Sequence, residues 1–127
     1  MATVLITGDD YQVSDFLTRV VEAQGHHALH VITTENVIED AALNEVDLIL
    51  AAENTVPYNG LEVCSMVSED PSVPVALPVL LVADHDHDPR ELERYSVAGV
   101  VGPDDKEDFL REQLVKHLGE NAGGEIN

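Results

Sequence analysis

Basic residues are scarce in this 127-residue chain: six Lys and Arg stand against 25 Asp and Glu, a formal charge of −19 with histidine neutral. Such a surface repels phosphate backbones and anionic headgroups, so neither nucleic acid nor a membrane is an expected partner. Cysteine is nearly absent too. Cys64 stands alone, which excludes an internal disulfide. With no cysteine or basic residue beside it to activate the thiol, it reads as a small core hydrophobe. No apolar run approaches the roughly 18–20 residues of a membrane span. The amino terminus, MATVLITGDD, lacks the basic residues and length of a signal peptide. A soluble, cytoplasmic protein is expected. The acids are spread from Asp9 to Glu125, which favours general surface acidity, as in a high-salt host, over one patch for a basic partner.

What is present is a regular alternation. Short apolar, β-prone runs at 4–7, 28–33, 48–52, 78–83 and 99–101 are separated by segments whose apolar residues recur at helical spacing. Val13, Phe16, Leu17, Val20 and Val21 mark a helix over 12–24 that Gly25 stops. Thr34 is a candidate cap for a second helix, and Leu61, Val63, Cys64 and Val67 face inward from a third. A fourth starts at Pro89, and Phe109, Leu110, Leu114, Val115 and Leu118 form the inner face of a fifth that begins at Asp105. The strands are continuous apolar runs, as in a parallel sheet covered on both faces. The fold class expected is therefore α/β, a three-layer doubly wound sheet of five strands in the order 2-1-3-4-5. It occupies residues 1–118, and 119–127 reads as a disordered tail.

In such folds chemistry sits at the carboxyl ends of the strands. A dinucleotide is not expected there, because the turn after VLITG holds Asp9 and Asp10 and no further glycines. Asp9, Asp10, Glu53 and Asp84 all follow strands, and converging carboxylates suit a hard cation such as Mg²⁺. The blander reading, solvated turn residues of a very acidic protein, has the stronger claim. The DHDHDP stretch has a composition suited to Zn²⁺ or Ni²⁺, though His85 and His87 alone give only a partial, exposed site. Its blander reading is a polar loop in which Asp88 caps the helix begun by Pro89. His26 and His27 read as surface residues.

Three stretches, VLITGDDYQVSDFLTRVVEAQGH, DLILAAENTVPYNGLEVC and LPVLLVA, resemble the CheY-like receiver domain of two-component response regulators, and the similarity runs from residue 3 to about 118. The resemblance implies a phosphoacceptor aspartate ending strand three, an acidic pair after strand one that holds Mg²⁺, a Thr or Ser ending strand four, and a Lys before Pro ending strand five. Position by position, those roles fall on Ala52, on Gly8 and Asp9 with Asp10 following, on Ala83, and on Gly102 before Pro103. No aromatic lies in 99–101, where the family's switching side chain would be. What this implies is a degenerate, non-enzymatic receiver in a phosphorelay pathway that does not accept phosphate. It would act by contact with a signalling protein or a second copy through residues 89–118. A shifted register, with Glu53 as acceptor and Lys106 as the lysine, implies instead a phosphoryl-accepting receiver. A divalent-metal-binding regulatory domain using Asp9, Asp10 and Asp84 is the third reading.

Overall fold

The computed structural model describes residues 1–73, 77–102 and 107–119. Among them run β1 (Thr3–Thr7), α1 (Tyr11–Ala23), β2 (His27–Val31), α2 (Val37–Leu43), β3 (Leu48–Ala52), α3 (Gly60–Glu69), β4 (Val79–Val82), α4 (Pro89–Arg94), β5 (Gly99–Val101) and α5 (Glu107–Leu118). The strands form one parallel sheet in the order β2-β1-β3-β4-β5. This is the doubly wound architecture expected from the strand runs.

The unbroken apolar strands follow from the pleat, since successive side chains serve opposite faces. Val4, Ile6, Leu48, Leu50 and Leu80 pack with Leu17, Val20 and Val21 of α1 and Leu110 and Leu114 of α5. Leu5, Ile49, Ala51 and Val79 pack on the other side with Val37 and Ala41 of α2 and Val63, Cys64 and Val67 of α3. Cys64 is the core hydrophobe its isolation implied, and burial raises its thiol pKa to about 12.

Helix starts are set by side-chain caps. Asp10 accepts from the backbone N–H groups of Gln12 (3.0 Å) and Val13 (3.3 Å). Asn59 and Glu62 cap α3 reciprocally, at 2.8 and 2.9 Å. Asp88 accepts from Arg90 N–H at 2.9 Å with Pro89 in the first turn, as read from the sequence.

Several expectations need correction. α2 starts at Val37, and Thr34 does not cap it. Thr34 is fully buried, and its hydroxyl donates to Tyr58 O (2.7 Å) and accepts from Tyr58 N–H (2.8 Å). β2 ends at Val31, not at 33, and α4, which the sequence extends to about Val97, ends at Arg94, with Ser96 in the left-handed region at φ 62°. Phe109 is 39% exposed, because a helix laid on the sheet by Leu110 and Leu114 turns position 109 to its flank. Asp105, Pro103 and Lys106 lie outside the described residues, as does the tail beyond Gly119. No described helix is long and apolar enough to cross a membrane.

His26 is also not the surface residue its neighbours suggested. It is only 8% exposed, and its Nδ1 accepts a hydrogen bond from Ala2 N–H at 3.0 Å. Burial first, and then the positive chain amino terminus, push its pKa below the ordinary value, against a weaker opposing pull from Asp47. A group of this kind binds fewer protons folded than unfolded, so it leaves stability untouched well above the ordinary imidazole value. Stability is lost as pH falls below about 6.5 and through the folded pKa. An NMR titration is expected to place the His26 midpoint below that of an unstructured histidine. The drop in thermal stability between neutral and mildly acid pH should shrink in His26→Gln. A midpoint at or above the unstructured value contradicts the assignment.

Candidate functional site

β1, β3 and β4 lie side by side, so the loops at their carboxyl ends face one another across a cleft of about 250 Å³. Gly8, Asp9, Asp10, Ala52, Glu53, Ala83 and Asp84 line it, together with residues of α1. The convergence expected from strand order is thus present. Gly102 lies one groove away, beside Ala83, Val100 and Phe109.

The backbone of the cleft is held rigidly. Ala52 N–H donates to Thr7 Oγ1 (3.2 Å), and the Thr55 hydroxyl donates to Tyr58 O (2.7 Å) while lying 3.3 Å from Ala52 O. Gly8 adopts φ 142°, closed to most side chains, and a Cβ there would stand 3.0 Å from that of Ala52. Its N–H donates to Val31 O at 3.0 Å, and its carbonyl accepts from His30 Nε2 at 2.7 Å. Where the three strand ends meet, the cleft presents a glycine and two alanine methyls. Among the residues lining the cleft there is no Lys or Arg. Asp9 is exposed, and the Asp10 carboxylate is engaged as the cap of α1.

Glu53 is differently placed. Its backbone N–H donates to Val82 O (3.1 Å), which leans the residue toward β4. The carboxylate lies 2.8 Å (Oε2) and 3.0 Å (Oε1) from His85 Nε2 and 3.0 Å (Oε2) from His87 Nε2. The His85 and His87 rings lie 4.5 Å apart, inclined at 32°. His87 Nδ1 stands 3.1 Å from Glu91 Oε1, one helical turn along. His85 has a raised pKa, first through its hydrogen bond to the Asp86 carbonyl and then through the Glu53 charge. Sequence spacing paired the histidines with each other and gave no third member. The available signal was positional: Glu53 follows Ala52, which pairs with Val82, so the β3 and β4 loops must leave the sheet as neighbours.

No family model and no curated protein sequence matches the chain. Solved structures do. The chain is similar to a putative response regulator from Chloroflexus aurantiacus (17% identity, TM-score 0.83, covering 94% of this chain and 98% of that one). It is also similar to the signal receiver domain of a signal transduction histidine kinase from Syntrophus aciditrophicus (21%, 0.79, 93% and 90%). A third is the receiver domain of a sensor histidine kinase from Pseudomonas aeruginosa, which has a magnesium ion coordinated in its active-site cleft (12%, 0.80, 94% and 98%). At these identities the likeness establishes the fold, and that fold is the CheY-like receiver fold the sequence motifs implied.

Gly60, where α3 meets the strand end, permits the cleft's geometry. A Cβ there would stand 2.6 Å from Leu81 Cδ1 and 2.7 Å from Ala52 O, and Gly60 N–H donates to Glu53 O at 3.1 Å. The Ala52 carbonyl cannot move without breaking the sheet register. Gly60→Ala is expected to cost about 1–3 kcal/mol in denaturant unfolding and to shift the amide signals of Ala52 and Glu53. A neutral substitution would show that α3 is not seated this tightly.

Proposed function

We propose that this chain is a receiver-like domain of a two-component phosphorelay pathway that does not take up phosphate and works by contact with another protein. The observation that carries the reading is Ala52. It stands at the end of β3, beside Gly8 and Ala83 on the cleft floor, where the resemblance calls for the phosphoacceptor. A methyl group has no lone pair to attack phosphorus. Phosphoryl transfer depends on an in-line nucleophile and on cations that neutralise the transferred charge. The hydroxyl position is Ala83 and the lysine position Gly102. Of the acidic pair that would hold Mg²⁺, Asp9 remains, with Asp10 next to it, so Mg²⁺ binding in the cleft is expected to be weak.

Glu53 as an alternative acceptor is disfavoured by its contacts. Its carboxylate is engaged by His85 and His87 and leans toward β4.

The contact surface we assign is α4, β5 and α5, within residues 89–118. α4 buries none of its residues, β5 is an edge strand, and Phe109 is 39% exposed beside Gly102. A protein of the signalling class or a second copy of the chain is the occupant. The charge of −19 argues against nucleic acid. A cytoplasmic, non-enzymatic role accords with this reading.

Incubating the full chain with Mg²⁺ and acetyl phosphate, followed by intact-mass measurement, is expected to give no phosphoryl increment. Beryllofluoride should leave the amide signals of Ala52, Ala83 and Gly102 in place. A stable adduct at any carboxylate of the cleft, Glu53 above all, would overturn the proposal.

A further inference from the structure

We propose that Glu53, His85 and His87 form a binding site for a borderline divalent cation, Zn²⁺ being the ion of choice, with a fourth position open to water. The proposal does not need the signalling reading, because none of its three residues is Gly8, Ala52, Ala83 or Gly102.

His85 Nδ1 faces the Asp86 carbonyl (3.2 Å), and His87 Nδ1 faces the Glu91 carboxylate (3.1 Å). Both partners are acceptors, so each Nδ1 carries the hydrogen. In the neutral ring the other nitrogen then has only its lone pair to offer. Both Nε2 atoms lie close to the same carboxylate, at 2.8 and 3.0 Å from Glu53 Oε2, and the one of His85 is aimed to hydrogen-bond it. Two ring nitrogens and a carboxylate converge on one small volume. A cation at that point resolves the arrangement.

A second observation points to the same place independently. The His87 side chain is only 6% exposed, and its Nε2 is buried with no hydrogen-bond partner, although Glu53 lies 3.0 Å away. An orphan ring nitrogen, buried and aimed into a cluster, is costly unless something binds it.

The chemistry of the donors selects the ion. Two imidazoles and one carboxylate are a borderline nitrogen and oxygen set, which suits Zn²⁺ and its late-transition neighbours and not Mg²⁺. The ligand atoms all lie within 4.8 Å of one another. Ion-to-ligand bonds of about 2.0–2.2 Å at tetrahedral angles need ligand separations of about 3.3–3.6 Å. Opening the 2.8 and 3.0 Å contacts by a few tenths of an ångström brings the two carboxylate–imidazole separations into that range. Glu91 behind His87 is the outer-shell carboxylate that commonly fixes the tautomer of a ligating imidazole. His85 is 56% exposed and leaves the fourth position accessible to solvent. Filled, the site would tie the β4–α4 loop to the end of β3.

Isothermal titration of the chelator-stripped full chain with Zn²⁺ tests this. At about 1 M salt the Debye length is near 3 Å, so diffuse binding to the acidic surface is suppressed. One saturable site is expected, and Co²⁺ in place of Zn²⁺ should give the intense visible bands of a tetrahedral ion. Ring signals of His85 and His87 should shift while those of His26 stay. Glu91→Ala should weaken Zn²⁺ binding by about 10-fold or more. His85→Ala, an exposed change that leaves the fold intact, should weaken it further, and Asp9→Asn should leave it unchanged. The proposal is overturned by absence of saturable uptake, which is the outcome if two protons hold the cluster instead. It is equally overturned by affinity that survives His85→Ala, or by equal loss in Asp9→Asn.

Discussion

The parallel pairing of β3 between β1 and β4 is the constraint on which the rest of the structure depends. Leu5 pairs with Ile49, Ile49 with Val79, and the register continues to Thr7 opposite Ala51 and Ala52 opposite Val82. With both faces of β3 buried, slipping by one residue would exchange the side chains sent to the two cores. The end of β3 is thereby held at one height between the ends of its neighbours. Gly8, Ala52 and Ala83 share a cleft for this reason, and so do the loops that carry Glu53 and His85.

Given that frame, the floor of the cleft is held by backbone hydrogen bonds and carries no nucleophile at position 52. The strand end is held by hydrogen bonds from Ala52 N–H to Thr7 Oγ1 and from the Thr55 and Thr34 hydroxyls to Tyr58 O. The close approach at Gly60 adds to this. These interactions fix backbone and do not require a reactive group at position 52. The polar chemistry instead lies one residue on and leans across to β4, where a carboxylate meets two imidazoles. A surface carrying −19 gives such a cluster a favourable field for cations and an unfavourable one for phosphate.

Local features of the fold were legible because their causes are local. Continuous apolar strands, helical spacing at Leu17, Val20 and Val21, and the Asp88-Pro89 start of α4 each act within a few residues. The Cys64 reading held because a lone thiol without activators has little role but packing. The failures share one property, which is that the decisive partner is distant in sequence. Thr34 looked like a cap, but its hydroxyl answers Tyr58, 24 positions away. His26 looked solvated, yet Ala2, also 24 positions away, donates to it. Phe109 looked inward because it lies next to Leu110, and only the seating of α5 separates the two.

The sequence by itself determined the strand and helix order, the two-sided burial of the sheet, the acidity, and the absence of a nucleophile at Ala52. Those follow from residue identity and from periodicities of two and 3.6 residues, which need no knowledge of what lies across the fold. Only the tertiary structure decided that Glu53 meets His85 and His87, across 32 positions in the first case. That meeting depends on the register of β3 against β4 and on the lean of one loop toward the next. No spacing along the chain encodes either.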